Sequence, residues 1–248
     1  MIDVDDALSD EGDAETAAGS NDPAATKRRK LGINLTDKDF QRITESDGWF
    51  STEMVDAIMV MLKERNTRLV EAGHLDIRTC HFFSHTVHSF VCRNDCLQRV
   101  QKWTVEPQYM HGFDSANKAF LPMLINGNHW VIAVLYPSEH RIEYYDSMRK
   151  PNDEDVETER LLSPLLAFLA AVRPPREGSN WRWVRPPCPQ QLDTWSCGLF
   201  VGLLAYHISS SRSVEELLSV TIDKDYVRRQ MHTWLNEVRI RSLRVTHT

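Results

Sequence analysis

The chain has 248 residues, 42% of them hydrophobic, with a formal charge of −6. This is enough to bury one substantial core, near the upper size for a single domain, and the acidic balance argues against nucleic acid as the main ligand. No apolar run reaches the roughly 18 residues of a membrane span, and "MIDVDDALSDEGDAE" lacks the basic and apolar regions of a secretory signal, so an intracellular chain in the nucleus or cytoplasm is expected, acting as a monomer without a membrane partner.

Residues 1–34 are rich in Asp, Glu, Ala, Gly, Ser and Asn, show no hydrophobic period and carry the basic run Lys27-Arg28-Arg29-Lys30. A solvated, disordered tail is expected there, with the basic run readable by nuclear import machinery. A folded domain over residues 35–248 follows. "STEMVDAIMVMLKERNTRLVEAG" opens on Ser51 and Glu53, sets Met54, Ile58, Met61 and Leu62 at helical spacing and stops near Gly73, which predicts a buried helix. "FFSHTVHSFVCRNDCLQRVQKWT" continues in a helical pattern, with Phe83, Val87, Phe90 and Val91 on one stripe. Three strands are predicted next, "AFLPMLI", "HWVIAVLYP" and "RIEYYDS"; the short polar turn Pro137 to His140 makes a hairpin of the last two. "VETERLLSPLLAFLAAV" reads as a helix, "WRWVRPP" as a strand ended by prolines, and the stretch after Cys197 as a buried helix followed by an amphipathic one. Helices around a small central sheet, in segregated runs, define an α+β class.

The chemistry gathers at "CPQQLDTWSCGLFVGLLAYHI". A polar, turn-forming stretch runs into a segment apolar all round, the pattern of a helix inserted in the core, with Cys197 at the junction. There the thiol meets the positive end of the helix dipole and amide hydrogens without intrahelical partners. The five cysteines, an odd and scattered set, suit reduced thiols more than a disulfide framework. A thiol with an ordinary pKa near 8.5 is only about 3% ionised at pH 7, so a nucleophilic cysteine also needs an imidazole. His129 opens one predicted strand and Asp146 ends its hairpin partner. With residues 137–140 as the turn, Tyr136 faces Arg141 and Asp146 falls opposite Val131, two residues from His129 on the same face. The carboxylate then fixes the ring's tautomer and leaves the other nitrogen for the thiol. Gln191, six residues before Cys197, is a better placed oxyanion donor than Gln190, with the Cys197 amide as the second donor. Gly198, lacking a Cβ, is expected to let substrate backbone approach.

"NHWVIAVL", "IEYYDSM" and "PQQLDTWSCGLF", in that order, together with "GWFSTEMVDAIMVML", resemble the ubiquitin-like-protein-specific cysteine proteases, the Ulp/SENP group, over residues 49 to 207. The resemblance implies a papain-like cysteine protease fold of the Ulp type over residues 35–248, with a small central mixed sheet and the nucleophile at the N-terminus of a buried helix. It implies Cys197 as nucleophile, His129 as base, Asp146 as its orienting acid and Gln191 in the oxyanion hole. It also implies that Trp49 and Trp130 wall a slot too thin for anything but a Gly-Gly terminus. The partner it implies is a ubiquitin-like modifier and its conjugates, SUMO first, with NEDD8 or ubiquitin as alternatives, and the reaction needs no cofactor. Three positions depart from the group's pattern: Ser196 stands where many members have Asp, Asp193 where Asn is usual, and Thr52 where an acidic residue often meets the modifier.

Two other functions suit parts of this pattern. The triad order also resembles that of acetyltransferases whose cysteine accepts an acetyl group, and an inactive domain that only binds a modifier would keep the fold. His81, His85, His88, Cys92 and Cys96 are metal-capable at helical spacing, but their order is not that of a zinc finger and the segment also carries core Phe and Val, so no metal is expected.

Overall fold

The computed structural model describes residues 35–92, 113, 115–149, 155–172, 174 and 180–245. The expected tail at residues 1–34, with its basic run, and residues 93–104 of the second helical segment lie outside the described residues.

Helix α1 (Asp37–Thr44) precedes α2 (Thr52–Glu71), the predicted buried helix. Ser51 is the N-cap of α2: its hydroxyl accepts from the Met54 amide at 3.2 Å and donates to Asp39 of α1 at 2.7 Å. The loop between these two helices carries Trp49 and Phe50. Next comes β1 (Cys80–Phe82), a strand the sequence reading did not assign and which the expected helical segment, starting at Phe82, overlaps by one residue. The period there is two: Phe82 stacks on Phe120 on one side, whereas His81 and Phe83 contact each other on the opposite side, at 4.4 Å between rings. A three-residue strand is too short for alternation to show against the helical stripe that follows in α3 (Thr86–Val91).

Strands β2 (Lys118–Ile125), β3 (His129–Tyr136) and β4 (Arg141–Tyr145) are antiparallel neighbours. With β1 and β5 (Arg182–Val184) added in parallel at the two edges, they form a mixed sheet in the order β1-β2-β3-β4-β5. The hairpin has the expected register: Tyr136 pairs with Arg141 and Ile132 with Tyr145, so one further step sets Asp146 beside Val131. A 3₁₀ turn over Pro137–Glu139 and a left-handed His140, φ 48°, close it.

Both sheet faces are covered, so β3 is buried on each. Trp130, Ile132 and Val134 pack toward α2, α5 (Cys197–Ser209) and α7 (Lys224–Val245), while Val131, Ala133 and Leu135 pack toward α4 (Asp155–Val172). Every residue of α5 is buried, as its all-round apolar sequence requires. A short α6 (Val214–Leu218) separates it from α7. Among the described residues no helix is long and apolar enough to cross a membrane. The result is an α+β domain in which the start of β3, the end of β4 and the start of α5 supply the predicted reacting groups.

Candidate active site

His129 Nε2 lies 2.7 Å from Asp146 Oδ1. The same carboxylate oxygen accepts the Met148 amide at 2.8 Å, so its direction is fixed by backbone as well as by the ring. With Nε2 donating to Asp146, Nδ1 is the nitrogen left for a thiol. Nδ1 is buried and has no hydrogen bond among the described residues; the Cys197 sulfur nevertheless lies close enough to act on the ring's protonation. Burial alone would lower the imidazole pKa, but the bond from Asp146 and the nearby sulfur outweigh it and raise the value to about 9. The ring can therefore stay protonated beside a developing thiolate at neutral pH.

Cys197 is 1% exposed, at the first position of a helix whose N-cap is Ser196. Two other thiols, Cys188 and the half-buried Cys80, lack this setting. Burial pushes Cys188 up to about 11 and Cys80 up to about 12, so both stay protonated at neutral pH. The Cys188 thiol donates to the Asp146 carbonyl at 3.3 Å, and the Gln190 amide donates to that carbonyl at 3.0 Å. Gln190 is thus a brace for the Asp146 backbone. Gln191 is held by the next residue: its backbone N–H donates to the Ser147 carbonyl at 2.8 Å, and its side-chain oxygen accepts the Ser147 hydroxyl at 2.7 Å. Its Nε2 donates one hydrogen to the Asp193 carbonyl at 2.9 Å and has a second available. The start of β3, the end of β4 and the start of α5 thus bring His129, Asp146 and Cys197 together, and Ser147, next to Asp146, holds Gln191 on the turn before α5.

Of the two tryptophans expected to wall a slot, Trp49 is 41% exposed and Trp130 only 2%. The Trp130 indole donates to the Phe50 carbonyl at 3.0 Å, and its ring stands edge-on to His85, which pairs with Asp56 at 3.0 Å. Two further donors hold the Trp49 loop: the Trp195 indole bonds the Ser46 carbonyl at 3.1 Å, and Arg228 of α7 bonds the Gly48 carbonyl at 2.9 Å. The sequence reading missed Phe50, Ser147, Trp195 and Arg228, whose partners lie far off in the chain; "WSCG" did place Trp195 beside the nucleophile.

Gly198 has a different neighbour from the one expected. A Cβ there would lie 2.5 Å from the Phe50 Cβ, so the missing side chain makes room for the Trp49–Phe50 loop and not for substrate backbone. Gly198→Ala is expected to destabilise the domain by about 1–3 kcal/mol through this overpacking. It should also lower kcat by displacing the start of α5. Thermal unfolding and turnover of the variant check this, and an unchanged melting temperature would show that Phe50 yields freely.

The metal-capable side chains are otherwise engaged. His85 is bonded to Asp56, His88 Nε2 lies 3.3 Å from the Cys92 sulfur, and His81 packs edge-on to Phe83. Cys96 lies outside the described residues. Among the described residues no group of three His, Cys, Asp or Glu side chains is placed to hold a metal ion.

A thiol at the start of a buried helix, an imidazole fixed by a carboxylate and an amide donor on the preceding turn define a centre of the cysteine-peptidase class. The model of the Ulp1 protease family, C-terminal catalytic domain, matches residues 49–242, and the chain belongs to that family. Among relatives, the ubiquitin-like-specific protease 1A of Arabidopsis thaliana is 28% identical over 183 residues, covering 68% of this chain and 33% of that protein. The ubiquitin-like-specific protease ESD4 of the same plant is 24% identical over 178 residues, covering 68% of this chain and 34% of that protein. The chain thus spans about a third of the length of the curated relatives it matches. Among solved structures, the C-terminal Ulp1 protease domain in complex with Smt3, the yeast ortholog of SUMO, superposes with a TM-score of 0.65 at 17% identity, covering 86% of this chain and 91% of that one. The SUMO protease Ulp1 with its catalytic cysteine oxidised to a sulfenic acid gives 0.66 at 17% identity, over 84% and 87%. These superpositions establish a shared fold.

Proposed function

We propose that the chain is a cysteine protease that cleaves after the C-terminal Gly-Gly of a ubiquitin-like modifier, with SUMO as the first modifier to test. The observation that carries this reading is the thiol itself: Cys197 is 1% exposed yet sits beside the His129–Asp146 pair under the Trp49–Phe50 loop. To reach a thiol so buried a substrate segment must be thin, and a Gly-Gly tail without side chains meets that requirement. Trp49 would close over such a tail, with the Phe50–Trp130 contact beneath it. On the α4 side a cavity bordered by His129, Asp146, Asn126, Met148 and Glu157 leaves room for the departing amine's chain.

In the proposed reaction the Cys197 sulfur attacks the carbonyl carbon of the last glycine, and the Gln191 amide and Cys197 N–H stabilise the oxyanion. The C–N bond breaks as His129 protonates the leaving amine, giving a thioester. His129 then takes a proton from water, whose oxygen displaces the thiolate. Support for SUMO comes from relatives named as SUMO or ubiquitin-like-specific proteases and from a neighbour bound to Smt3. The XopD neighbour bound to ubiquitin, TM-score 0.55, keeps other modifiers in the comparison. Thr52 bears on the choice: its hydroxyl donates to Glu53 at 2.8 Å, which places an exposed acid one position along the chain. The reading also places the protein in a reducing compartment, nucleus or cytoplasm, where Cys197 stays a free thiol.

Electrophilic probes made from SUMO, NEDD8 and ubiquitin, each ending in Gly-Gly with a reactive group, test the reading. Labelling of Cys197 by the SUMO probe is expected. Labelling by NEDD8 or ubiquitin alone reassigns the modifier. No labelling, or formation of an acetyl-enzyme from acetyl-CoA without any modifier cleavage, overturns the protease reading.

A further inference from the structure

We infer that Asp193 is a positioning residue of this centre, whose carboxylate shapes the turn between Gln191 and Cys197 so that the glutamine amide and the Cys197 N–H face one point; this deepens the proposed function and rests on it. The Asp193 side chain is 7% exposed and receives four donors. Its Oδ1 accepts the backbone N–H groups of Trp195 at 2.9 Å and Ser196 at 2.8 Å. Its Oδ2 accepts the Ser196 hydroxyl at 2.8 Å and Lys224 Nζ at 2.6 Å. The backbone carbonyl of the same residue takes the Gln191 Nε2 hydrogen at 2.9 Å. One residue therefore touches the oxyanion donor on one side and the two residues before the nucleophile on the other.

The Ser196 hydroxyl shows the consequence. A serine at an N-cap ordinarily turns its oxygen onto an amide of the first helical turn. Ser196 is the N-cap of α5 but makes no such bond, because its hydroxyl is drawn to Asp193. The hydroxyl leaves the first amides of α5 to an incoming oxyanion instead of covering them.

Lys224 ties the turn to α7, and Arg228, one helical turn on, bonds the Gly48 carbonyl of the Trp49 loop. The Trp195 indole, whose backbone Asp193 fixes, bonds Ser46 in that loop. Asp193 thus touches the base of the loop that would cover the modifier tail, while Trp130 and Arg228 hold that loop through bonds of their own, so the loss of Asp193 falls on the oxyanion turn. Burial opposes its charge, but Lys224 and the amides of Trp195 and Ser196 outweigh this and hold the carboxyl at about 2, so it is ionised throughout the working pH range.

Asp193→Ala, Asp193→Asn and Lys224→Met in the full chain test the inference. Asp193→Ala is expected to lower kcat about 10- to 100-fold with KM within about 3-fold. Asp193→Asn keeps an oxygen for both backbone amides and should restore most of the turnover. Lys224→Met should show the same kcat-only loss at about 3- to 10-fold, and it serves if the alanine variant fails to fold. Hydrogen exchange on the intact proteins reads the turn without turnover: the Trp195 and Ser196 amides should exchange faster in Asp193→Ala, with an unfolding midpoint near the native one. Unchanged exchange at these amides, or native kcat in Asp193→Ala and Lys224→Met, overturns the inference. A native chain that reacts with no modifier probe sinks the proposed function instead, and exchange alone then decides the role of Asp193.

Discussion

Cys197→Ala is expected to lower cleavage of a modifier conjugate by about 10⁴-fold or more while modifier affinity stays within a few-fold of the native chain. The change removes one sulfur from a fully buried helix start and leaves the Trp49–Phe50 loop, the Gln191 turn and the His129–Asp146 pair their own contacts. Other thiols cannot stand in. Cys188 is committed to the Asp146 carbonyl and held protonated by burial, and Cys80 lies on β1 beside Lys118, at the end of β2 opposite the one that pairs with His129. Binding should persist because the contacts proposed for the tail come from Trp49 and its loop, not from the sulfur. Calorimetric titration with modifier and a cleavage assay on the same preparation separate the two effects. Cleavage near the native rate in the alanine variant would remove Cys197 from the mechanism. Loss of binding in parallel with turnover would instead mean that the thiol supports the fold of the slot.

The groups of the site differ in how visible they are to local pattern. Asp146 could be placed beside Val131 because a hairpin's register follows from its turn, and Pro137–His140 leaves little choice. Cys197 stood out because thirteen residues without a polar face can be a helix only if they are buried all round. Gln191 followed from its spacing to the thiol. The Trp49 loop was not legible in the same way. Its three clamps come from Trp130, Trp195 and Arg228, at separations of 80, 149 and 180 residues, and nothing periodic links such positions. Gly198 carries the same lesson in reverse. A glycine beside a nucleophile suggests room for substrate, yet Phe50, which arrives from the other end of the domain, occupies that room. Helices α1 and α6 and strand β1 are each eight residues or shorter, lengths at which tertiary contacts rather than periodicity decide the conformation.

Asp146→Asn should lower kcat/KM by roughly 10³- to 10⁴-fold and move the basic limb of the pH profile to lower pH. In the native site Asp146 Oδ1 receives both the His129 ring and the Met148 amide, so the ring is offered an acceptor and its Nε2 keeps the proton. An asparagine of the same size can present its NH₂ to that nitrogen; the ring proton then sits on Nδ1, facing the thiol it should deprotonate. The charge matters as well. Burial pulls the His129 pKa down, and Asp146 and the Cys197 sulfur overcome it to give about 9. An imidazole with a raised folded-state value stabilises the native protein fully below its unfolded value of about 6.5, and that contribution is lost as pH rises through about 9. Native kcat/KM should therefore fall at alkaline pH with a midpoint near 9, and thermal stability should decline over the same interval. Without the carboxylate, burial is opposed by the sulfur alone, so both limbs shift toward acid and the extra stability between the two pH values disappears. Rate and unfolding profiles of native and Asp146→Asn protein test the two consequences together. Superimposable basic limbs would show that something other than the His129–Asp146 pair holds the proton, whereas a shifted limb with an undiminished rate would leave Asp146 its charge but not its role in orienting the ring.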